Sequence, residues 1–374
     1  MKKIFTLIVA AVSTLPVFAN LEGDGYYRVE NYKTNRYASV IDNRGSIDIV
    51  ATTADLQAIY LWRIFEDVSH NAASIFYIDR VGDEYQLTAQ GTGIYQIIGH
   101  YLRIRENGSA NGQTLYMAYG TNGKATRYLG DGNTLNRDYG TMSTNCTGDY
   151  RKWYVLPVKA DSDNFFGAYP DVDAGGGLYT TIYADFPFSA YSEGVKMYYV
   201  SNVGESIVEL TEIDGTVPAA TPVVVECVGT SSSDNRLNVG GKGSAVSGNK
   251  LVGQYFNCDV AGHINRIAYN PETMRVLGRC KDGSLGFIKA QGLDYIPANT
   301  AYIRVPGWYS DEMKCVKTHD AFVSGVDEIG AEVEAVKKSV YTMTGVLLYD
   351  DASEEQISSL PKGLYIIGGK KVRL

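Results

Sequence analysis

The chain is short of the residues that most catalytic and metal sites are built from. It has four histidines, His70, His100, His263 and His319, in 374 residues, and none stands in an HExxH or comparable metal spacing. His70 and His100 flank strand-like runs and read as loop or capping residues. There are five cysteines, Cys146, Cys227, Cys258, Cys280 and Cys315, with no CxxC pair, so a zinc site has no support. An odd count leaves one or two disulfides, or small buried thiols, as open alternatives. No G-x-S-x-G elbow and no P-loop occur. The glycine runs at 174–178 and 239–244 lack the spacing and the following helix that phosphate binding needs, so they read as turns. A Cys–His protease built on Cys146 or Cys315 has no flanking motif behind it. A net charge of −8 gives no electrostatic basis for binding nucleic acid. The apolar stretch of the first residues is too short and too interrupted for a good bilayer span, which takes about 20 residues, and no other run could cross one.

Tyrosine and glycine are what the chain has in excess, 29 and 40 residues, and long helical periodicities are few. Tyrosine suits strands and glycine suits turns, so the fold class is all-β. Residues 1–19 carry Lys2 and Lys3, an apolar stretch from Ile4 to Ala11 and a small-residue end at Ala19. That is the order of a secretory signal peptide cleaved near Ala19, and it places the protein outside the cell or on its surface. No cysteine follows at once to accept a lipid.

Residues 20–160 hold an imperfect repeat. An Arg-Tyr unit at 36–37 and another at 127–128 are each followed, 25 residues after the tyrosine, by a tryptophan, Trp62 and Trp153. A middle unit runs from Tyr85 to Leu102 with a shorter return. Units this short cannot bury an apolar face alone, so they are expected to close on one another. The run 36–67, RYASVIDNRG…LWRIFED, resembles the ricin-type β-trefoil, although its Gln-x-Trp triplet is absent, Gln57 lying five residues before Trp62. That resemblance implies a lectin-like module. The aspartate after the first strand of a unit would take sugar hydroxyls, and Asp42 and Asp131 match it. Around them Tyr37, Asn43, Tyr128 and Asn133 give the ring faces and short polar groups that sugars need. The same residues also suit turns and core.

Residues 161–177, rich in Asp and Gly, read as a linker. Their aspartates Asp161, Asp163, Asp171 and Asp173 lack the order of an EF-hand and read as solvated, so no metal or cofactor is expected. Residues 178–318 read as a β-sandwich of two related halves, because Val217-Pro-Ala-Ala-Thr-Pro and Ile296-Pro-Ala-Asn-Thr-Ala each open a strand. This stretch resembles a module of secreted Bacteroidota proteins. Residues 319–338 read as a second linker.

Residues 339–374 then form a last β unit, with VYTMTGVLL at 340–348, LPKGLYII at 360–367 and GKKVRL at 369–374. It resembles the C-terminal sorting domain of type IX secretion, which implies the export machinery as a partner. Together these readings favour a non-catalytic binding protein, with a glycan as partner. An adhesive protein that binds other surface proteins is the alternative, and an accessory to a secreted hydrolase comes third.

Overall fold

Strand-forming runs of Tyr, Val and Ile, cut by Gly, Asn and Asp turns, build almost every element of the computed structural model, and the protein is all-β. It describes residues 23–40, 59–62, 68–81, 84–91, 102–105, 113–118, 125–131, 140–143, 149, 152–259, 264–318, 338–342, 347–352, 356, 360, 364–367 and 370–373. The chain divides into two units, Met1–Thr318 and His319–Leu374. Residues 319–337 of the second expected linker lie outside the described residues.

Ten strands open the first unit: β1 (Gly25–Asn31), β2 (Tyr37–Val40), β3 (Ile59–Trp62), β4 (Phe76–Val81), β5 (Glu84–Thr88), β6 (Leu102–Arg105), β7 (Gln113–Ala118), β8 (Ala125–Asp131), β9 (Gly140–Ser143) and β10 (Lys152–Pro157). Antiparallel pairing runs β1–β4–β5–β6–β7–β10 and returns to β1, a closed ring of six. Closure removes the open edges that a curled sheet would otherwise expose. Hairpin β2–β3 hangs on β1, and hairpin β8–β9 hangs on β7. The middle unit's step from Tyr85 to Leu102 joins β5 to β6, which pair Leu87 with Leu102, and residues 92–101 between them lie outside the described residues.

The 25-residue steps do not mark equivalent places. Trp62 pairs with Tyr37 in the hairpin β2–β3. Trp153 lies on ring strand β10, opposite Asn31 of β1 and Gln113 of β7, and is fully buried. The ring strand that closes the first unit, as β10 closes the third, is β4, where Phe76 and Ile78 are buried.

Thirteen strands follow: β11 (Phe166–Gly167), β12 (Val172–Ala174), β13 (Gly177–Ile182), β14 (Phe188–Ala190), β15 (Lys196–Val203), β16 (Ile207–Glu212), β17 (Val223–Cys227), β18 (Arg236–Val239), β19 (Leu251–Gln254), β20 (Met274–Arg279), β21 (Leu285–Ile288), β22 (Thr300–Arg304) and β23 (Glu312–Lys317). The main sheet has the order β12-β13-β17-β15-β16-β23-β21-β20-β22-β19. The block β13-β17-β15-β16 and the block β19-β22-β20-β21 follow one pattern, an opening strand, a hairpin and a strand inserted between them. These are the two related halves, joined through β23, which pairs in parallel with β16 and antiparallel with β21. Inside, Val200, Val208, Leu210 and Val224 of the first half share one core with Phe287 and Ile303 of the second and with Met313 of β23. The matching proline runs leave a signature in the backbone. Ala220 and Asn299, each two residues after its proline, take left-handed φ of 56° and 57°.

The expected linker 161–177 is not one. Phe166 and Gly167 pair with Leu237 and Arg236, and Val172–Ala174 forms an edge strand on β13. Phe166, Ala168 and Ala174 are buried. Phe166 joins a core that also takes Ala72, Ile75 and Val158 from the first module and Phe186, Phe188, Met197 and Val225 from the sandwich. A buried arginine seals the seam. Arg28 of β1 donates to Ser74 Oγ at 2.8 Å, Asn164 Oδ1 at 2.9 Å, the Phe165 carbonyl at 2.7 Å and the Ser69 carbonyl at 3.2 Å.

The second unit has four strands, β24 (Lys338–Thr342), β25 (Leu347–Ala352), β26 (Leu364–Ile367) and β27 (Lys370–Arg373), in the order β25-β24-β26-β27. Its core is small. Val340 and Ala352 are buried, with Tyr349, Leu360 and Tyr365 packed against them.

Candidate ligand-binding surface

Tyr37 and Tyr128 reach corresponding places, each on the first strand of a hairpin hung on the ring. Tyr37 lies opposite Glu30 and donates its hydroxyl to Glu30 Oε2 at 3.2 Å. Burial pushes both groups up, so the Tyr37 hydroxyl keeps its proton and stays committed to Glu30. Asp131 pairs with Gly140 at the end of β8, and for Tyr128 and Asp131 the described structure is the backbone alone. Asp42, Asn43 and Asn133 lie outside the described residues.

A surface that the sequence did not single out lies beside the seam. Strand β18 is flanked by β11 on one side and β14 on the other. The ladder runs on past both, the Ala168 N–H donating to the Asn235 carbonyl and the Tyr191 N–H to the Arg236 carbonyl. Ala168 and Asn235 face inward and are buried. Side chains alternate along a strand, so Tyr169 and Tyr191 are turned outward. Each is 50% exposed, and so is Val228 nearby. His70 packs against the Tyr169 ring, with ring centroids 5.3 Å apart. It is an aromatic neighbour of the surface rather than a cap.

The loop 228–235 that borders these rings is held from beneath. Asn235, fully buried, accepts from the Val228 and Gly229 N–H groups at 2.7 and 3.1 Å. It donates to the carbonyls of Ala168, Gly229 and Ser231 at 3.1, 2.8 and 2.8 Å. On the outside, the Ser231 hydroxyl and N–H donate to Asp234 Oδ2 at 2.8 and 3.1 Å. Those donors hold the Asp234 carboxyl below the usual carboxylate range, so it is an anion and an acceptor at neutral pH. Chemically the surface offers two ring faces, a carboxylate and serine hydroxyls on a preset backbone.

Two further polar clusters are part-buried, and their members satisfy one another. Glu226 Oε1 takes Lys317 Nζ at 2.7 Å and the Tyr179 hydroxyl at 3.2 Å, and its Oε2 takes the Tyr198 hydroxyl at 2.7 Å. Burial alone would push the Glu226 carboxyl up, but Lys317 and the two hydroxyls outweigh it and hold it below its ordinary value. The ion pair pins β23 to β17. The folded value lies below the unfolded one, so its contribution is present above the carboxylate range and fades as pH falls below about 4. Glu226→Gln should cost about 1–2 kcal/mol at neutral pH, reduced by solvent at this half-open site, and flatten the acid limb of a urea-stability profile. An acid limb unchanged from wild type would place the acid sensitivity elsewhere.

The second cluster joins the ring module to the sandwich. Asp185 accepts from the Gly91 N–H at 2.7 Å and the Tyr255 hydroxyl at 3.0 Å, and Tyr255 stacks on Tyr183 at 4.1 Å. Burial raises the Asp185 carboxyl despite those donors. Asn299 donates to Gln90 Oε1 at 2.7 Å and to the Tyr183 carbonyl at 3.0 Å.

Asp161, Asp163, Asp171 and Asp173 are exposed, and among the described residues no three metal-ligating side chains come together. Cys227, Cys258, Cys280 and Cys315 are free thiols rather than disulfide partners. Burial pushes Cys227 up to about 12, so it is an inert core thiol at neutral pH. Among the described residues no helix is long and apolar enough to cross a membrane.

No family model matches the chain, and no curated protein matches it. Four solved chains do, among them the one described under "Structure and mode of action of a mosquitocidal holotoxin". It is 11% identical, with a TM-score of 0.25, over 77% of this chain and 35% of that one. The chain thus spans about a third of that toxin's length. A likeness of that size carries no argument about fold or role.

Proposed function

We propose that this is an exported, non-catalytic binding protein whose ligands are glycans. The observation that carries the reading is the pair Tyr169 and Tyr191, half-exposed on one outward face beside a loop fixed by the buried Asn235. Sugars present apolar faces that stack on aromatic rings and hydroxyls that need short polar partners. Asp234 and Ser231 lie on the loop whose end, Asn235–Arg236, is bonded through the backbone to Ala168 and Tyr191, and that loop loses little freedom on binding because it is already ordered. The closed ring with hairpins on its first and fifth strands fits a trefoil-like module, which would add lectin pockets at Tyr37, Asp42, Asn43 and at Tyr128, Asp131, Asn133. The leader-like residues 1–19 and the tail at 339–374 support export and display at the cell surface.

A glycan array probed with the full chain tests the reading. Binding is expected, with Tyr169→Ala and Tyr191→Ala each weakening it about tenfold, the loss of one stacked ring. Loss in Asp42→Ala or Asp131→Ala, with the tyrosine variants unaffected, would move the site to the ring module. No binding to any glycan by folded protein would overturn the reading and favour adhesion to proteins.

A further inference from the structure

The C-terminal sheet has, among the described residues, two unpaired edges whose strands differ in charge. Among the described residues, β25 and β27 each pair on one side only. Unpaired strand edges are templates for another strand, and proteins blunt them or use them. Strand β27 reads Lys370-Lys371-Val372-Arg373, three positive charges in four residues. Strand β25 reads Leu347-Leu348-Tyr349-Asp350-Asp351-Ala352, with two negative charges and no positive one. Leu347 and Leu348 are 45% and 39% exposed, so the acidic edge also carries apolar surface left in water.

We propose that these edges join copies of this chain head to tail, β27 of one copy adding to β25 of the next. Three features of the sheet support it. The first is direction. The steps β25–β24, β24–β26 and β26–β27 are all antiparallel. Three reversals leave β25 and β27 running in opposite senses, so a copy displaced along the sheet meets β27 with an antiparallel partner. No rotation is needed, and the added strand meets β25 at an edge whose pairing with β24 is itself bulged on either side of Tyr349. The second is charge. Joining β27 to β27 would set six positive charges against one another, and joining β25 to β25 would set four negative ones together, whereas β27 on β25 pairs unlike charges. The third is size. The sheet has four strands, with Val340 and Ala352 the buried residues among those described, and a sheet of four short strands gains more than a large one from covering a partner's edge. A contact between two different edges does not close on itself, so the product is an open chain of copies rather than a symmetric dimer.

Sedimentation of the full chain over a concentration series tests this. Wild type should associate progressively, and its dissociation constant should rise about tenfold between roughly 0.05 and 0.5 M salt as the charge pairing is screened. Lys370→Glu with Lys371→Glu makes both edges acidic, and Asp350→Lys with Asp351→Lys makes both basic. Each double variant alone should associate at least about tenfold more weakly than wild type. Mixed in equal amounts, the two should associate again, because an acidic edge once more meets a basic one. Should either double variant fail to fold by circular dichroism, Leu348→Lys changes the exposed apolar edge without touching the core and should weaken association likewise. Wild type that stays monomeric through the series would overturn the proposal. Association indifferent to the edge variants, or a mixture that stays monomeric, would overturn it equally.

Discussion

Replacing Arg28 with methionine is expected to lower the stability of residues 1–318 by about 3–5 kcal/mol, a fall of about 10 °C in melting temperature. Methionine fills the space of the stem but donates nothing. Asn164 Oδ1 and the carbonyls of Phe165 and Ser69 would each lose the guanidinium inside a closed seam. A hydrogen bond to a charged donor is worth about 1.5–3 kcal/mol when lost from a buried site, and bonds sharing one donor group do not add fully. Arg28→Lys keeps the charge but not the fork that reaches four acceptors, and should fall between. Urea unfolding followed by tyrosine fluorescence reads the change. A loss under about 1 kcal/mol would mean that the shared apolar core, not Arg28, holds the seam.

Gly167→Ala is expected to cost about 3 kcal/mol, at the upper end of what overpacking does. A Cβ at this position would lie 2.1 Å from the Ser232 carbonyl oxygen and 2.9 Å from its carbon. Both are backbone atoms, so no side-chain rotation relieves the clash. Either β11 shifts, breaking its pairing with Arg236, or the loop carrying Ser232 lifts away from Asn235. In the second case the proposed glycan affinity should fall as well, because Asp234 lies on that loop and Tyr169 follows Ala168, which is bonded to its Asn235. Calorimetric unfolding together with the glycan measurement separates the two. Stability within about 1 kcal/mol of wild type would mean that the loop moves freely and the outward face is not preset.

Much of the architecture was legible because strand chemistry is local. Tyr, Val and Ile between Gly and Asn turns mark strands wherever they occur, and the paired proline runs marked the two halves of the sandwich. What was illegible depends on pairing partners far away in sequence. Trp62 and Trp153 share a spacing from tyrosine, yet one closes a hairpin and the other closes the ring, and spacing cannot tell these apart. Residues 161–177 have the Asp and Gly content of a linker, and only Phe165-Phe166 hinted that the stretch is built into a core. Tyr169 and Tyr191 were hidden by abundance. Among 29 tyrosines, half-exposed ones look like core ones until the ladder around β18 fixes which way each faces.

Strand β23 is the last strand of its unit in sequence but not in space. It lies between β16 and β21 and carries the pairing that joins one half of the sandwich to the other. A chain delivered N-terminus first, from a ribosome or through a pore, cannot form this joint until residue 317 has emerged. Until then it holds two half-sheets whose facing edges are unpaired and whose common core is open. Parallel pairing over such a distance is slow to form, because most of the chain must be ordered before it contributes. Folding of the sandwich is thus timed by the six residues of β23, and the two halves can meet only once that strand is free of the ribosome or pore.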